Sequence, residues 1–362
     1  MFNVIGSGTA AWIACLYLLK ADKQVTLYHD PDVTVRKIGE STVPTINEIP
    51  RLIGMTDQEF LNKVNGFFKY GTLFANWKDN DSWLYYSGNE PDSLATNRQQ
   101  TYAYHIDAPG FCNTMREWCV SQPNFKIIPR KFNLVDYNKE EFFIDATGVG
   151  GVLSDTVGLE HNTSDYLIND HAVIGNKPST YIPYTKSQAM SNGWMWSISL
   201  QTRLSHGYVF SSKYISKEDA IAEFELTTGI KHEAVISFET RIPKQSWKEN
   251  VLFLGLSAGF VEPLNATANF AAQSGIKNFL LLQDKPEVYN RLMTKTYDGI
   301  HKWISALYSL NTRDGAYWDY YKSHKEQAIK DIDFYIKYGH QGLMGKHSWR
   351  LLKTHMAELE HG

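Results

Sequence analysis

A glycine-rich turn near the N-terminus constrains the fold of this chain more than any other feature. The turn, Gly6-Ser7-Gly8-Thr9-Ala10-Ala11, directly follows a short apolar run. Gly6 would permit a tight turn, Gly8 would let backbone amides approach a pyrophosphate, and Ala11 would let a helix pack closely on the strand. The N-terminus of that helix would then face the phosphates. The pattern predicts a dinucleotide-binding strand-turn-helix unit, although a plain strand-to-helix turn would also fit it.

The residues after this turn strengthen the nucleotide-binding interpretation. An apolar strand is predicted over residues 24–29, and Asp30 lies about 20 residues after Gly8, where an acid commonly binds a ribose hydroxyl. Two further buried strands are predicted at residues 142–145 and 251–255, and both would return to the same sheet. The expected fold is therefore of the α/β class, with Rossmann-like segments that recur along the chain.

The rest of the chain predicts a second half that is interleaved with the first. Residues 64–77 alternate apolar and polar side chains and predict one strand, and residues 182–214 are aromatic and mostly strand-like. Residues 79–93 are rich in Asn, Asp, Gly and Ser and predict a loop. Residues 285–361 predict helices with aromatic side chains on one face. These segments would form the substrate-binding half.

Charge and composition exclude several classes of protein. The 36 basic and 39 acidic residues leave a formal net charge of −3 without a long run of one sign, so no nucleic-acid or anionic lipid partner is expected. Apolar runs are shorter than the roughly 18 residues that span a membrane, and no secretory leader is recognisable. Cys15, Cys112 and Cys119 have neither metal-like nor redox spacing. We therefore expect a cytoplasmic protein without a metal site.

Four further segments have ordinary interpretations when each is taken alone. Gly39-Glu40-Ser41-Thr42-Val43-Pro44 would predict a turn before a helix, and Lys69 an exposed edge-strand lysine. Trp194 and Trp196 would be one face of a core strand. Together with residues 260–268, Phe-Val-Glu-Pro-Leu-Asn-Ala-Thr-Ala, these segments resemble signature motifs of the flavin-dependent halogenases, of the tryptophan-halogenase type. That family uses reduced FAD, oxygen and a halide ion to halogenate electron-rich substrates.

The resemblance implies the FAD-binding fold of the flavin monooxygenases and halogenases. The core would span residues 1–285, with a substrate-binding subdomain at about 60–110 and 156–250, and a helical region would cover 286–362. The residues that the resemblance places at FAD are Gly6, Gly8, Thr9, Ala10, Ala11, Asp30, Gly39, Glu40, Ser41, Gly148, Gly255 and Leu264. The family usually has a glutamate where this chain has His29, so Asp30, His29 or neither would contact the ribose, and Asp30 is favoured.

The resemblance also implies how halogen would reach the substrate. Lys69 would stand at the end of a passage from the flavin, where aromatic neighbours would desolvate its ammonium group and lower its pKa. The lysine would either hydrogen-bond hypohalous acid or carry halogen as a haloamine, and the sequence leaves both open. Trp194 and Trp196 would separate the flavin from the substrate. The backbone amides of Thr267 and Ala268 would hold the halide.

Two departures from the family pattern concern the chemistry and the substrate. Asn265 replaces a family glutamate that is thought to assist Lys69, and an amide cannot act as a base near neutral pH. Glu40 or Glu262 would be alternative carriers of that role. Tyr85 and Ser87 stand where tryptophan-specific members have the His and Phe that enclose the indole. The resemblance therefore implies an electron-rich aromatic substrate other than tryptophan, and bromide or iodide in preference to chloride.

The nucleotide-binding motif is also compatible with two other functions. An FAD-dependent hydroxylase on the same fold, or a degenerate flavin-binding protein that has lost catalysis, would share the nucleotide-binding motif. No second glycine-rich nucleotide loop is visible, so reduced FAD is expected from a separate flavin reductase. His105 and Asp107 lie on a predicted apolar strand and are interpreted as structural residues.

Overall fold

The computed structural model describes residues 1–79, 81–85, 102–338, 349–350 and 352–353. Its strands are β1 Phe2–Ile5, β2 Val25–Tyr28, β3 Gly39–Ser41, β4 Phe67–Lys69, β5 Gly71–Ala75, β6 Ser82–Tyr85, β7 Ala103–Asp107, β8 Phe125–Ile128, β9 Phe142–Asp145, β10 His161–Asn162, β11 His171–Lys177, β12 Thr185–Met190, β13 Gly193–Ser199, β14 Leu204–Phe210, β15 Ala234–Ser237, β16 Ile242–Pro243, β17 Trp247–Lys248 and β18 Val251–Phe253. Its α-helices are α1 Thr9–Lys20, α2 Glu48–Leu52, α3 Asp57–Lys63, α4 Ala108–Val120, α5 Ser154–Val157, α6 Lys217–Thr228, α7 Thr267–Leu281, α8 Pro286–Ser309, α9 Ala316–Lys322 and α10 Lys325–Tyr338.

A mostly parallel sheet forms the nucleotide-binding half, in the order β17-β18-β9-β1-β2-β8. Strand β1 lies between β2 and β9, and both pairs are parallel. Helix α1 packs against α7 and α4. Parallel strands covered by helices are apolar along their length, which is why these strands could be recognised as short apolar runs. The predicted strands near residues 142 and 251 are β9 and β18, and they pair with each other in this sheet.

A second sheet carries the aromatic strands, in the order β15-β11-β14-β13-β12-β5-β6. Its pairs are antiparallel except for β5 with β12. A three-stranded sheet, β3-β7-β4, lies beside it. The strand Gly193–Ser199, which carries both tryptophans, is buried along its whole length. Residues of β12 and β13 line the same cavity as the glycine-rich turn, so the fold brings the two halves together there.

Two sequence-based expectations in this half are wrong. Residues 64–77 were expected to form one strand, but β4 and β5 belong to different sheets. The chain changes sheet at Tyr70, whose amide donates a hydrogen bond to the carbonyl of Pro183 (2.8 Å). The expected loop at 79–93 contains β6, which pairs with β5, and residues 86–93 of that loop lie outside the described residues.

The C-terminal region is helical, as expected. Helices α8, α9 and α10 follow one another, and α8 packs against both of the others. Seven of their aromatic side chains are buried: Tyr289, Tyr297, Trp303, Tyr308, Tyr317, Trp318 and Tyr321. Within the described ranges, no helix is both long and apolar enough to span a bilayer, and no cluster of three or more metal-binding side chains occurs. All three cysteines are free and buried.

Candidate active site

A cavity of about 640 Å³ extends from the glycine-rich turn to Lys69. The predicted site residues that line it are Gly6, Gly8, Thr9, Ala10, Asp30, Gly39, Glu40, Ser41, Lys69, Gly148, Trp194, Trp196, Gly255, Asn265, Thr267 and Ala268. Ala11 and Leu264 are buried but are not among the lining residues. The fold thus brings together motifs that are far apart along the chain, from Gly6 to Ala268.

The nucleotide end of this cavity is made mainly of backbone. Gly6 has a φ of +143°, and a Cβ atom there would lie 2.4 Å from the carbonyl oxygen of Ala146. Gly8 is the N-cap of α1 without a capping side chain, and nothing lies within 4 Å of the position where its Cβ would be. The first amides of a helix have no partners within the helix and favour an anion. These residues therefore fit the pyrophosphate of a dinucleotide such as FAD.

Asp30 and His29 occupy different environments. Asp30 lines the cavity, and its carbonyl accepts a hydrogen bond from the hydroxyl of Ser7 (3.1 Å). The His29 ring instead packs on Trp12, with 5.7 Å between ring centroids. Burial, followed by the charge of Arg116, lowers the pKa of His29. Of these two neighbours, Asp30 has the position from which a side chain can reach a ribose.

Glu40 and Ser41 point to opposite faces of β3. The Glu40 carboxylate accepts hydrogen bonds from the hydroxyl of Thr9 (3.4 Å) and the amide of Asn269 (2.8 Å), and burial raises its pKa. Ser41 lies on the other face, where its hydroxyl hydrogen-bonds that of Thr185 (2.9 Å). Because successive residues of a strand alternate, Glu40 faces α1 and α7 rather than the lysine.

Lys69 is completely buried at the other end of the cavity. The interpretation of an exposed edge-strand lysine is therefore wrong. The Lys69 ammonium nitrogen donates a hydrogen bond to the carbonyl of Thr42 (3.1 Å). Burial lowers the pKa of Lys69 to about 7, because the charged form loses its hydration. A substantial fraction of the amine is therefore neutral near neutral pH.

His105 lies beside this lysine, which the sequence did not indicate. In the antiparallel sheet, Ser41 and Phe67 pair with His105, and Lys69 pairs with Ala103. Paired residues and residues two apart share a face, so the side chains of Ser41, Lys69 and His105 lie on one face. The His105 ring nitrogen Nε2 hydrogen-bonds the Thr185 hydroxyl (2.9 Å).

The electrostatic environment of His105 includes the lysine. Burial and then the Lys69 charge lower the pKa of His105 to about 3, so its ring is neutral. The histidine was interpreted as structural from its strand position alone. The only sequence signal of another role would have been its spacing from Ser41 and Lys69 across paired strands, which requires the register to be known.

The two tryptophans form a wall of the cavity. Their ring centroids are 6.1 Å apart, and the rings are inclined by 56°. Gly207 pairs with Trp196 across β13 and β14, and a Cβ atom at Gly207 would lie 1.9 Å from the Trp196 indole. The glycine therefore provides the space in which this indole lies across the neighbouring strand.

Glu262 anchors the other tryptophan. Its Oε1 accepts a hydrogen bond from the Trp194 indole nitrogen (2.9 Å) and another from the Tyr308 hydroxyl. Its Oε2 accepts from the amide of Asn169 (3.2 Å). Burial raises the pKa of Glu262 to about 7 despite these bonds. Glu262 is not among the cavity-lining residues, so it fits a role in positioning Trp194 rather than the role of the family carboxylate that Asn265 replaces.

The segment before α7 presents a helix N-terminus to the cavity. Asn265 (φ 65°) and Ala266 (φ 60°) both adopt the left-handed conformation, and Thr267 begins the helix. Asn tolerates that conformation better than most residues do. The amides of Thr267 and Ala268 are therefore the first of a long helix, where partial positive charge favours an anion. Within the described part of the chain, the carboxylates that line the cavity are Asp30 and Glu40.

Comparison with known proteins decides the family. The model of the tryptophan halogenase family matches residues 2–90 and 85–350. The chain belongs to the tryptophan halogenase family. The prediction of a flavin-dependent halogenase is therefore confirmed at the level of the family, and the protein is an enzyme of the oxidoreductase class.

Several tryptophan halogenases are similar to this family member along most of its length. A tryptophan 7-halogenase from Kutzneria sp. is 23% identical over 422 residues, which is 91% of this chain and 79% of the relative. A tryptophan 6-halogenase from Streptomyces toxytricini is 25% identical over 427 residues, covering 91% and 81%.

Solved halogenase structures confirm the expected fold. A flavin-dependent halogenase from Xanthomonas campestris superimposes with a TM-score of 0.84 and 22% identity, covering 98% of this chain and 88% of that one. A tryptophan halogenase from Shewanella frigidimarina gives a TM-score of 0.86 at 20% identity, with the same coverages of 98% and 88%. The family implies FAD as the cofactor, and the glycine-rich turn of this halogenase fits it.

Proposed function

We propose that this halogenase modifies a small electron-rich aromatic compound other than tryptophan, and that Lys69 carries the halogen to it. The observation that supports this function is the position of Lys69. It is buried at the far end of the cavity that begins at the glycine-rich turn, and Trp194 and Trp196 line the cavity with it. A reactive halogen made at one end would therefore meet an amine at the other.

Different groups of the chain would hold the pyrophosphate and the ribose of FAD. The amides at the start of α1 would hold the pyrophosphate, and Asp30 would contact the ribose. When bound, reduced FAD would supply, with O₂, the two-electron oxidation of a halide ion to hypohalous acid. We propose that a separate flavin reductase in the cytoplasm provides the reduced cofactor. Three free, buried cysteines are compatible with such a reducing compartment.

The halide would bind at the start of α7. Thr267 and Ala268 line the cavity there, and their backbone amides would attract the ion without the help of side chains. Both left-handed residues before the helix direct its N-terminus inwards. This arrangement would keep the halide at the FAD end of the cavity, away from the substrate.

The lowered pKa of Lys69 suits an amine that accepts halogen. A neutral amine has a lone pair that can attack hypohalous acid and form a haloamine and water, whereas an ammonium group can only donate a hydrogen bond. The buried position prevents the halogen from diffusing into bulk water. Asn265 lacks the carboxylate of the family pattern, so we propose activated rings as substrates and bromide or iodide as the preferred halide.

The substrate assignment depends on two positions after the lysine strand. Tyr85 ends β6, and Ser87 lies outside the described residues. Both differ from the His and Phe of the tryptophan-specific members. The tryptophan halogenases named above act on tryptophan according to their names, so free tryptophan is the substrate against which this proposal must be compared.

One assay tests the proposed function. The purified protein is incubated with FAD, a flavin reductase, O₂ and a panel of phenols, indoles and free tryptophan, with chloride, bromide or iodide. We expect a monobrominated phenol or indole that depends on both bromide and FAD. Hydroxylated product that does not require halide would instead identify a hydroxylase. Absence of any product with all three halides would identify a degenerate flavin-binding protein.

A further inference from the structure

We propose that Ser41, Thr185 and His105 form a proton relay that takes the proton from Lys69 before halogen uptake and returns it when the halogen leaves. The inference rests on the proposed function of Lys69 and assigns the haloamine as the form in which the halogen is carried. Thr185 lines the cavity, and His105 acts through it. His105 therefore positions Thr185 and holds the proton, and it does not touch the substrate.

Ser41, Thr185 and His105 are joined by hydrogen bonds, and the Lys69 ammonium nitrogen lies next to this chain, where it donates to the carbonyl of Thr42, the residue after Ser41 (3.1 Å). The Ser41 and Thr185 hydroxyl oxygens are 2.9 Å apart, and Thr185 Oγ1 lies 2.9 Å from His105 Nε2. Each hydroxyl can donate one hydrogen bond and accept others, so the direction of the whole chain can reverse as a proton passes along it. Ser41 and Thr185 line the same cavity as Lys69, whereas His105 is completely buried behind them.

Lys69 and Thr185 are held on the same side of this cavity by the backbone. The residue after Lys69, Tyr70, donates its amide to Pro183, two residues before Thr185. Thr185 itself pairs with Thr72 across the parallel strands β12 and β5. Both polar side chains therefore face one cavity at the point where the chain changes sheet.

The charges of Lys69 and His105 oppose each other. The ring of His105 is affected by burial, by the Lys69 charge and by the backbone of Ser199 in β13, and it hydrogen-bonds Thr185 in β12. Two positive charges close together in a buried site are unfavourable, so the pair holds one proton rather than two. Conversion of Lys69 into a neutral haloamine removes this repulsion, and His105 then becomes a better proton acceptor.

Atoms and charge are conserved over one catalytic cycle. The Lys69 ammonium gives a proton to the relay, and the resulting amine attacks hypohalous acid, forming an N–X bond and water. The relay returns the proton to the haloamine nitrogen, and the aromatic ring takes X⁺ from it, which regenerates the amine. The ring then loses its own proton to that amine through water in the cavity, which restores the ammonium group and closes the cycle. No oxidant is needed beyond the hypohalous acid that the proposed function supplies.

The transfer of a proton to His105 is uphill while Lys69 is charged. Burial and the Lys69 charge both lower the pKa of His105. The protonated histidine is therefore a transient state, populated only while the Lys69 amine is neutral.

The relay takes the place of a carboxylate as the acceptor of the proton from the charged fraction of Lys69. Asn265 cannot accept a proton, Glu40 faces α1 and α7, and Glu262 is bound to Trp194 and Tyr308 outside the cavity lining. Asp30 lies at the nucleotide end. Among the described residues on the face shared with Lys69, His105 is the group that can hold a proton.

Substitutions at Thr185 test the relay in the loaded enzyme. Thr185→Val removes the hydroxyl while keeping nearly the same shape, and Thr185→Ser keeps the hydroxyl. We expect Thr185→Val to slow halogen transfer by roughly 10²-fold. The hypohalous acid that is not transferred should appear in bulk solution, where a trap measures it, and FAD binding should be unchanged. Thr185→Ser should restore most of the rate. A wild-type rate in Thr185→Val, or failure of Thr185→Ser to restore the rate, would overturn the relay.

Ser197→Ala is a matched control. It breaks another buried hydroxyl-imidazole hydrogen bond, between Ser197 and His206 Nδ1 (3.0 Å), on the strand that carries the tryptophans. We expect its rate to stay within about twofold of the wild type. An equal loss in Ser197→Ala and Thr185→Val would show that the effect is structural and would overturn the proposal.

A measurement on the flavin-free protein tests the coupling without catalysis. Histidine NMR of ¹⁵N-labelled protein should show a higher pKa for His105 in Lys69→Met than in the wild type, because the opposing charge has been removed. An unchanged His105 titration would overturn the coupling. Lys69→Met also separates the two proposals. If Lys69→Met still halogenates the substrate, the proposed function of Lys69 is wrong. If Lys69→Met is inactive but Thr185→Val has the wild-type rate, only the relay is wrong.

Discussion

The two ends of the cavity are built in different ways. At the nucleotide end, Gly6, Gly8 and the start of α1 present backbone amides, and the whole unit is contained in one short stretch of sequence. At the lysine end, Lys69, His105 and Thr185 come from three strands in two sheets. Backbone recognition is therefore encoded locally, whereas side-chain chemistry depends on how distant strands are brought into register.

The ends also differ in charge. The nucleotide end contains the carboxylates Asp30 and Glu40, while the lysine end holds a buried amine and a neutral imidazole. The first end suits a ligand whose phosphates are held by helix amides and whose hydroxyls are held by acids. The second suits an electrophile that must be kept from water. Substitutions confined to one end should therefore affect binding and halogen transfer separately.

The largest effect is expected from Lys69→Ala, which removes the amine at the lysine end. Substrate halogenation should fall below detection, while FAD binding and production of hypohalous acid stay intact, since the nucleotide end is untouched. Product formation, flavin titration and trapping of hypohalous acid are measured on the same preparation. Lys63→Ala is the control, because that lysine is exposed and pairs with Glu117 (2.6 Å). Equal loss of FAD binding in Lys69→Ala would show that the two ends are not separable.

The next effect concerns the amide at the start of α7. Asn265→Glu restores the carboxylate of the family pattern, and we expect it to raise the chlorination rate by roughly 10²-fold relative to bromination. Asn265→Gln is the matched variant, with a longer side chain and no charge. Single-turnover chlorination and bromination are compared in all three proteins. An unchanged chloride-to-bromide ratio would eliminate Asn265 as the determinant of halide preference.

A pair of glycine substitutions separates folding from binding at the nucleotide end. Gly6→Ala places a Cβ atom 2.4 Å from the Ala146 carbonyl in a left-handed conformation, so it should destabilise the flavin-free protein by about 1–3 kcal/mol. Gly8→Ala meets nothing within 4 Å in the protein. It should leave the flavin-free stability unchanged and weaken FAD binding. Denaturant unfolding and flavin titration distinguish the two; equal stability losses would contradict this assignment.

A further effect is a change in how stability depends on pH. The pKa of Glu262 is raised from 4.5 to about 7, so the folded state holds that proton more firmly, and this contribution is lost as pH rises from about 4.5 to about 7. The pKa of Lys69 is lowered from 10.5 to about 7, so its burial costs stability below about 7, and this cost disappears as pH rises to about 10.5.

Two variants check these opposite slopes. Glu262→Gln should abolish the decrease in stability between pH 4.5 and 7, and Lys69→Met should abolish the increase between pH 7 and 10.5. The free energy of unfolding is measured by denaturant titration across this range. Retention of the wild-type slope in either variant would show that another group titrates there.

Prediction from sequence succeeded for motifs whose residues are close together along the chain. It failed for contacts that depend on the register of paired strands. The strand-turn-helix at Gly6, the later strands of the parallel sheet and the C-terminal aromatic helices were all recognisable, because period and turn residues report short-range structure. The split of residues 64–77 into β4 and β5 could not be recognised, because alternation of side chains does not reveal that the chain changes sheet at Tyr70. Glu262 was visible as a residue of the motif, but its bond to Trp194 was not.

The sequence by itself determined the nucleotide-binding turn and the resemblance that led to the halogenase family. Both depend on residues that are adjacent along the chain, whose spacing already specifies the backbone. The resemblance also implied that Lys69 is desolvated, but only the tertiary structure decided that His105 shares its face and that Thr185 connects His105 to Ser41. Burial and hydrogen bonding between distant strands depend on sheet register and packing, and these arise only when the whole chain has folded.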